Sequence, residues 1–150
     1  MYKVERSALV MHSAAHMSEL VNDVDHYHEF LPWCGGSRVL SRDEAGYTAS
    51  VDIAFKGLKK TFTTRNTRQV EGEIERTDIT LVDGPFSELT GNWLFEPISD
   101  GASRISLRLE FGFSNILVEK VVGPVFKAIA DSMVDSFCRR ADRLAADNAQ

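Results

Sequence analysis

The C-terminal part of the sequence contains the longest amphipathic segment, and this segment limits the folds that the chain can adopt. Apolar residues recur there at the i, i+3, i+4 spacing that aligns them on one face of an α-helix. They are Val118, Val121, Val122, Val125, Phe126, Ile129, Met133, Val134, Phe137, Ala141 and Leu144. We expect a long helix that is kinked or divided at Gly123 and Pro124, because proline lacks the amide proton that a helix interior needs.

A different periodicity governs the middle of the chain, where apolar and polar residues alternate. Alternation with period two places one apolar face on a β-strand. It is clearest in residues 47–55 and 105–113, and further strands are expected at residues 3–11, 58–70, 74–83 and 88–96. Short turns are expected at residues 56–59, 71–73 and 99–101. Turns of this length are typical of antiparallel hairpins and exclude a series of βαβ units.

Two short helices are expected between the first strand and the run of hairpins. Ser13 is placed to cap the first helix, whose apolar stripe is Met17, Leu20, Val21 and Val24. A second helical turn, with Tyr27, Phe30 and Leu31, should end at Pro32. The residue before a proline avoids the α region, so the helix cannot continue through it.

A sheet with one apolar face must bury that face, and the final helix is the large apolar surface available to cover it. The pattern therefore predicts an α+β fold in which a curved antiparallel sheet wraps around the C-terminal helix. A length of 150 residues suits one domain, which we place at residues 1–150.

The net charge of −5 argues against a partner that is bound by a basic field over the whole protein, as DNA would be. No apolar run approaches the length of about 20 residues that a helix needs to cross a bilayer. The start, MYKVERSALV, lacks the apolar centre of a targeting peptide. We expect a cytoplasmic protein, with peripheral contact to the cytoplasmic membrane as an open alternative.

The sequence shows no set of residues typical of a metal or catalytic site. Cys34 and Cys138 fit no ligand spacing, and the early histidines form no zinc signature; these are His12, His16, His26 and His28. Asp52 and Asp78 fall on the polar side of their strands, and Asp83 favours a turn. We therefore expect a protein that binds without catalysing a reaction, with no metal and no required cofactor.

A basic cluster stands out in this acidic chain: Lys56, Lys59, Lys60, Arg65 and Arg68. Lysines often protect a strand edge from aggregation, which is one explanation. The alternative is a docking surface for an anionic partner, either a membrane leaflet or ribosomal RNA. The sequence leaves these alternatives open.

Several strings of residues together resemble a known family. They are LVNDV (residues 20–24), Tyr27 with FLPWC (30–34), FTTRN (62–66), LVDGPF (81–86), Leu89 with WLF (93–95), and residues 126–137. They resemble the START-related polyketide cyclase/dehydrase-like family, in the branch that includes coenzyme Q-binding proteins and the ribosome-association toxin RatA. The resemblance covers nearly the whole chain, although His28 stands where the family usually has proline.

The resemblance implies a START/Bet v 1-like helix-grip fold with an apolar cavity between the sheet and the last helix. Its candidate ligand-binding residues are Leu31, Trp33, Val51, Ile53, Phe62, Leu81, Phe86, Trp93, Phe95, Phe126, Ile129, Met133 and Phe137. For each residue, ordinary core packing is an equally good explanation. The FLPW string should close one end of the fold and border the ligand entrance if a cavity exists.

Three functions are compatible with the resemblance, and we rank them. The first is a carrier or chaperone that supports respiration by binding a polyprenyl quinone such as ubiquinone, or another lipid. The second is a RatA-like toxin or regulator that binds the large ribosomal subunit and blocks subunit association. The third, an aromatic polyketide cyclase/dehydrase, ranks last because the expected catalytic residues are missing from the pattern.

Overall fold

Seven antiparallel strands and one long helix make up most of the computed structural model, which describes residues 1–148. The elements are β1 (Tyr2–Val10), α1 (Ala14–Asn22), a 3₁₀ helix (Val24–Glu29), β2 (Cys34–Arg42), β3 (Gly46–Phe55), β4 (Leu58–Glu71), β5 (Ile74–Asp83), β6 (Glu88–Ser99), β7 (Ala102–Gly112) and α2 (Ile116–Asn148). The strand order is β1-β7-β6-β5-β4-β3-β2. The sheet curves around α2, which confirms the predicted helix-grip fold class.

Alternation along the strands supplies the core. In β3, Tyr47, Ala49, Val51 and Ile53 are buried on the concave side. They face buried residues of α2 that include Phe126, Ile129, Val134 and Phe137. Helix α2 runs in the same direction as β1: Tyr2 lies beside Gly123, Arg6 Nη2 pairs with Asp131 Oδ1 at 3.0 Å, and His12 lies 2.7 Å from Asp142. The core therefore lies between one face of the sheet and one face of α2.

The last helix was expected to be kinked or divided at Gly123 and Pro124, and the division is wrong. Helix α2 runs without interruption from Ile116 to Asn148, with Pro124 inside it. Pro124 and Lys120 are both exposed, so the carbonyl of Lys120, which loses its helical donor to the proline, can bond to water. Gly123 is buried beside Tyr2, whose ring occupies the space that a larger side chain would need.

Strand β2 is not among the predicted strands, and its residues Gly35 and Gly36 are of a type that weakens a strand interior. In the structure both glycines belong to the strand, and its register with β3 shifts between Cys34 and Gly36. A Cβ at Gly35 would lie 3.0 Å from Ala54 Cβ, and one at Gly36 would lie 2.9 Å from Asp52 Oδ2. The glycines therefore permit close strand pairing at a bulge, a role that glycine has at such sites.

The local predictions for the first helix and the first hairpin are confirmed. Ser13 Oγ accepts a 3.1 Å hydrogen bond from the amide of His16 and caps α1. Lys56 and Gly57 form the β3–β4 turn with φ of 50° and 82°, as the tight hairpin turn requires. The second helical turn is a 3₁₀ helix that ends at Glu29, a little earlier than expected. Within residues 1–148, no helix has the length and apolar character needed to cross a bilayer.

Candidate functional site

A cavity of about 70 Å³ lies between the concave face of the sheet and α2. Its lining comes from α1, the 3₁₀ helix and the segment after it, strands β3 to β7, and α2. The lining residues are Val21, Asn22, Val24, Tyr27, Trp33, Tyr47, Ala49, Val51, Phe62, Thr64, Asn66, Thr77, Ile79, Leu89, Trp93, Leu107, Leu109, Phe126, Ile129 and Met133. Most of these side chains are apolar, so the cavity suits an apolar group.

The candidate ligand-binding residues divide into two groups in the structure. The cavity is lined by Trp33, Val51, Phe62, Trp93, Phe126, Ile129 and Met133. The others lie outside its lining and pack elsewhere in the core: Leu31, Ile53, Leu81, Phe86, Phe95 and Phe137. Val51 and Ile53 share one strand face, yet only Val51 reaches the cavity.

One end of the cavity is polar, and Asn22 is at its centre. Its Oδ1 accepts a 2.7 Å hydrogen bond from the hydroxyl of Tyr47. Its Nδ2 donates to the carbonyl of Ser18 at 2.8 Å and to Thr77 Oγ1 at 3.2 Å. Asn22 and Thr77 are buried, and these bonds satisfy their polar atoms. The network holds α1 against β3 and β5 and gives the cavity one polar wall.

The opposite end of the cavity is aromatic. The rings of Phe62 and Phe126 meet edge to face at 5.5 Å, and Phe126 meets Phe86 at 4.7 Å and Phe111 at 4.8 Å. Such contacts contribute about 0.5–1.5 kcal/mol each beyond the burial of the rings. Among the lining residues, Phe62, Ile79 and Met133 are only half-buried, so their side chains have room to move.

The FLPW string (residues 30–33) contributes both to the hydrophobic core and to the lining of the cavity. Leu31 is buried in the core, and the carbonyl of Trp33 accepts a 2.8 Å hydrogen bond from the amide of Ala54, which ties the segment to β3. Phe30 packs against Phe137 at 5.4 Å, and the Arg140 guanidinium lies 4.9 Å from its centre. Trp33 lines the cavity and is 4% exposed, yet its Nε1 has no hydrogen-bond partner. A buried donor without a partner is rare and costly.

The titratable groups of the cavity wall are two tyrosines. Burial raises the pKa of both Tyr27 and Tyr47, so both stay protonated at neutral pH. The Tyr27 hydroxyl donates to the carbonyl of Val21, and that of Tyr47 donates to Asn22. The strand carboxylates Asp52 and Asp78 lie outside the cavity lining, where Asp52 pairs with Arg38 and Asp78 with Arg76. The tyrosine hydroxyls therefore serve in structural hydrogen bonds.

Several lining residues were absent from the sequence prediction. Tyr47 and Ala49 share the alternation of Val51, and Thr64 and Asn66 share that of Phe62, so strand periodicity could have found them. Asn22 gave no such signal. Its role depends on Tyr47 and Thr77, which are distant in the sequence and meet it only in the folded chain.

The basic cluster separates into free and paired members. Lys56, Lys59 and Lys60 are exposed at the β3–β4 hairpin and have no ion-pair partner among residues 1–148. Arg65 instead lies 2.7 Å from Asp43, and this hydrogen bond lowers the pKa of the Asp43 carboxyl. Arg68 lies 2.9 Å from Glu19 and 3.9 Å from Glu75. The charge available to a partner is concentrated in the three lysines, which we call the lysine hairpin.

Residues 10–138 match the family model described as polyketide cyclase / dehydrase and lipid transport. The chain is 46% identical over 144 residues to the ribosome association toxin RatA of Vibrio cholerae serotype O1, which covers 96% of this chain and 98% of that one. It is 28% identical to the mitochondrial coenzyme Q-binding protein COQ10 of Drosophila melanogaster, over 92% of this chain and 57% of that one. A START superfamily protein from Mycobacterium smegmatis has the same fold, with a TM-score of 0.71 and 19% sequence identity. The superposition covers 96% of this chain and 99% of that one.

Proposed function

Since this chain belongs to the polyketide cyclase / dehydrase and lipid transport family, we propose that it acts by binding and that its main partner is the large ribosomal subunit. Relatives named for ribosome association support this partner, because their similarity extends over nearly the whole chain. The relative named for coenzyme Q binding is more distant. The order of our first two sequence hypotheses is therefore reversed. A ribosomal partner implies a cytoplasmic protein.

The lysine hairpin is the structural observation on which this proposal rests. Lys59 and Lys60 follow the turn and point to opposite faces of β4 by strand alternation, and Lys56 lies in the turn itself. The charges therefore surround the tip of a projecting hairpin. Ribosomal RNA offers a dense array of phosphates, and cations that neutralise them release bound counterions, which drives association.

The direct test is sedimentation of a native-host lysate on a sucrose gradient at low salt, with the protein detected in each fraction. We expect the parent protein in the large-subunit fractions and the Lys59→Glu/Lys60→Glu variant at the top of the gradient. Raising the salt should release the parent as well, because screening shortens the reach of exposed charges.

A matched control separates this surface from net charge. Arg104→Glu/Arg143→Glu changes the net charge equally, and both arginines are exposed and lie outside the ion pairs of residues 1–148. We expect this control to sediment like the parent. Equal loss of association in both variants would show that net charge, and not the lysine hairpin, causes the effect. A parent protein that stays at the top of the gradient would refute ribosome association.

The cavity supports a second candidate function, the binding of an apolar ligand with one polar group. Its walls are apolar, and the unpartnered Nε1–H of Trp33 is a donor that a ligand oxygen could satisfy. A polyprenyl quinone such as ubiquinone combines carbonyl oxygens with an apolar tail. Another lipid with a carbonyl group would meet the same requirements.

The size of the cavity limits how such a ligand could enter. An apolar cavity of about 150 Å³ is known to hold benzene. The 70 Å³ here is smaller, so a ring requires movement of the walls and an isoprenoid tail requires an opening. The wall residues best placed to move are those with half-buried side chains, Phe62, Ile79 and Met133.

Extraction of the protein from its native host with organic solvent tests this second function, together with quenching of Trp33 and Trp93 fluorescence by added ubiquinone. Ile129→Trp should fill the cavity and abolish binding, at a cost of about 1–3 kcal/mol in stability from overpacking. Leu117→Trp is the control, because Leu117 is 70% exposed on the same helix and lies outside the cavity lining. An extract without quinone or lipid, combined with no quenching, would end this hypothesis.

Catalysis as a cyclase or dehydrase remains our third hypothesis. General acid–base chemistry needs a group whose pKa lies near the working pH. The two tyrosines of the cavity wall have raised pKa values, and both hydroxyls donate to protein oxygens. These features favour binding over catalysis.

A further inference from the structure

Strand β1 lies at one edge of the sheet and pairs only with β7. Backbone amides and carbonyls on the outer side of an edge strand are free to pair with another extended chain. Proteins commonly protect such an edge with charged side chains, and the first half of β1 has them in Lys3, Glu5 and Arg6. The protection ends at Ser7.

The second half of this edge consists of the uncharged residues Ser7–Ala8–Leu9–Val10, and the uncharged Met11 follows directly after the strand. Leu9 is 67% exposed and Met11 is 82% exposed. Exposed apolar residues on an unprotected edge are the combination that soluble proteins usually avoid. We call residues 7–11 the open edge.

The other edge of the sheet, β2, is covered. The amide of Val39 donates a 3.1 Å hydrogen bond to Asp25 Oδ1, and Ser37 Oγ donates to the carbonyl of Val24 at 2.5 Å. On β1, the one side-chain bond to the strand backbone within residues 1–148 joins Arg6 Nη1 to the carbonyl of Glu5, in the charged half. The fold therefore closes one edge with its own residues and leaves part of the other open.

A groove of about 410 Å³ runs beside the open edge. Residues 7–11 form one side, and Val134, Asp135, Cys138 and Asp142 of α2 form the other. The side chains of Asp135 and Asp142 are 66% and 74% exposed; Asp135 pairs with Arg139 at 3.0 Å, and Asp142 lies 2.7 Å from His12. The groove thus joins free backbone groups to an apolar floor and an acidic wall.

We propose that an extended segment of a partner protein adds to the open edge as an eighth strand. Its backbone pairs with residues 7–11, the addition of a strand to a free sheet edge that is a recurring mode of peptide recognition. Its alternate side chains enter the groove, where an apolar residue packs on Val134 and Cys138. A Lys or Arg of the partner joins His12 at Asp142 or competes with Arg139 for Asp135.

The acidic wall determines which occupant fits best. If two copies of this chain paired edge to edge, the aspartates of one groove would approach those of the other, and like charges oppose such contact. A basic partner segment meets complementary charge instead. We therefore assign the edge to a different protein with a basic, alternately apolar strand.

The probe is a fluorescein-labelled octapeptide of alternating valine and lysine, titrated with the full chain by fluorescence anisotropy. Its control is the same peptide with alternate backbone amides methylated, which keeps every side chain and removes the donors that pair with a strand. We expect at least tenfold weaker binding of the methylated peptide. We also expect slower hydrogen exchange of the amides in residues 7–11 when the unmodified peptide is bound.

Variants locate the site. Leu9→Lys places a charge on the open edge, and Asp135→Lys reverses one charge of the groove; each should weaken binding at least fivefold. Asp83→Lys makes the same charge change at the end of β5, which β7 and β6 separate from β1, and should alter binding by less than twofold. Circular dichroism and thermal melting should show that Leu9→Lys and Asp135→Lys are folded like the parent. Because Asp135 lies on α2, its variant tests the groove without changing β1.

The proposal is overturned if the octapeptide fails to bind, if the methylated peptide binds equally well, or if neither Leu9→Lys nor Asp135→Lys changes the affinity. Sedimentation equilibrium gives one more decisive result. A dimer that Leu9→Lys converts to a monomer would assign the open edge to a second copy of this chain and overturn the assignment to a different protein.

Discussion

The hydroxyl of Tyr47 donates a 2.7 Å hydrogen bond to Oδ1 of Asn22 and so ties β3 to the end of α1. Tyr47→Phe removes the donor and leaves a buried oxygen with only the 3.4 Å bond from Thr77 Oγ1. We expect a loss of about 1–3 kcal/mol in the free energy of unfolding, measured in urea. Tyr2→Phe is the control, because the Tyr2 hydroxyl has no hydrogen bond among residues 1–148, and equal losses in both variants would contradict the role of this bond.

Gly91 cannot carry a side chain without a backbone shift. A Cβ there would lie 2.0 Å from the carbonyl oxygen of Arg108 on the neighbouring strand. Gly91→Ala should cost about 1–3 kcal/mol or more, because overpacking that involves backbone atoms cannot relax easily. Gly101→Ala is the control, since no atom lies within 4 Å of a Cβ at that position. Similar melting temperatures for the two variants would show that β6 and β7 can shift to accommodate a side chain at position 91 without loss of stability.

The pKa of His26 should lie above its ordinary value of 6.5, because its ring bonds to Asp23 at 2.8 Å and lies near Glu29. A raised pKa in the folded state adds stability that is complete below pH 6.5 and is lost as the pH rises through the folded-state pKa. Proton NMR titration of the ring should show this pKa falling in Asp23→Asn and falling less in Asp25→Asn. An unchanged pKa in Asp23→Asn would refute the assignment to Asp23.

Cys138 should react slowly with alkylating agents. Burial, followed by the nearby carboxylates of Asp135 and Asp142, raises the pKa of its thiol to about 11. Few thiolates are then present at pH 8, and the thiolate is the reactive form. In a Cys34→Ser background, iodoacetamide should label Cys138 far more slowly in the native protein than in urea. Equal rates in both conditions would show an accessible thiol of ordinary pKa.

The sequence predicted the fold well because alternation and helical spacing report directly which face of an element is buried. In β3, the buried face that includes Tyr47 and Val51 follows from period two alone. Strand β2 was missed because Gly35 and Gly36 are explained only by Ala54 and Asp52 on the neighbouring strand. Glycine spacing within one segment cannot report such a neighbour.

The candidate site was predictable only in part. Val51 and Ile53 lie on the same face of β3 and both are buried, yet only Val51 borders the cavity, which the alternation of the strand does not report. The basic cluster had the same limitation. Arg65 is neutralised by Asp43, which lies across the sheet and 22 positions earlier in the chain. The local sequence predicts charge and periodicity. Contacts with residues that are distant in the sequence determine which charges and apolar groups are free to bind a partner or a ligand.

The pairing of the first strand with the last has a consequence for the order of events during translation. Val10 pairs with Ser103 and Tyr2 with Phe111, about a hundred residues later. At about 5–20 residues per second, β1 waits roughly 5–20 s after leaving the ribosome before its partner strand is made. Throughout that interval both sides of β1 are open, including the uncharged residues 7–11. The newly made chain is therefore most vulnerable to misassociation at β1, and a chaperone that holds this strand would protect it until β7 emerges.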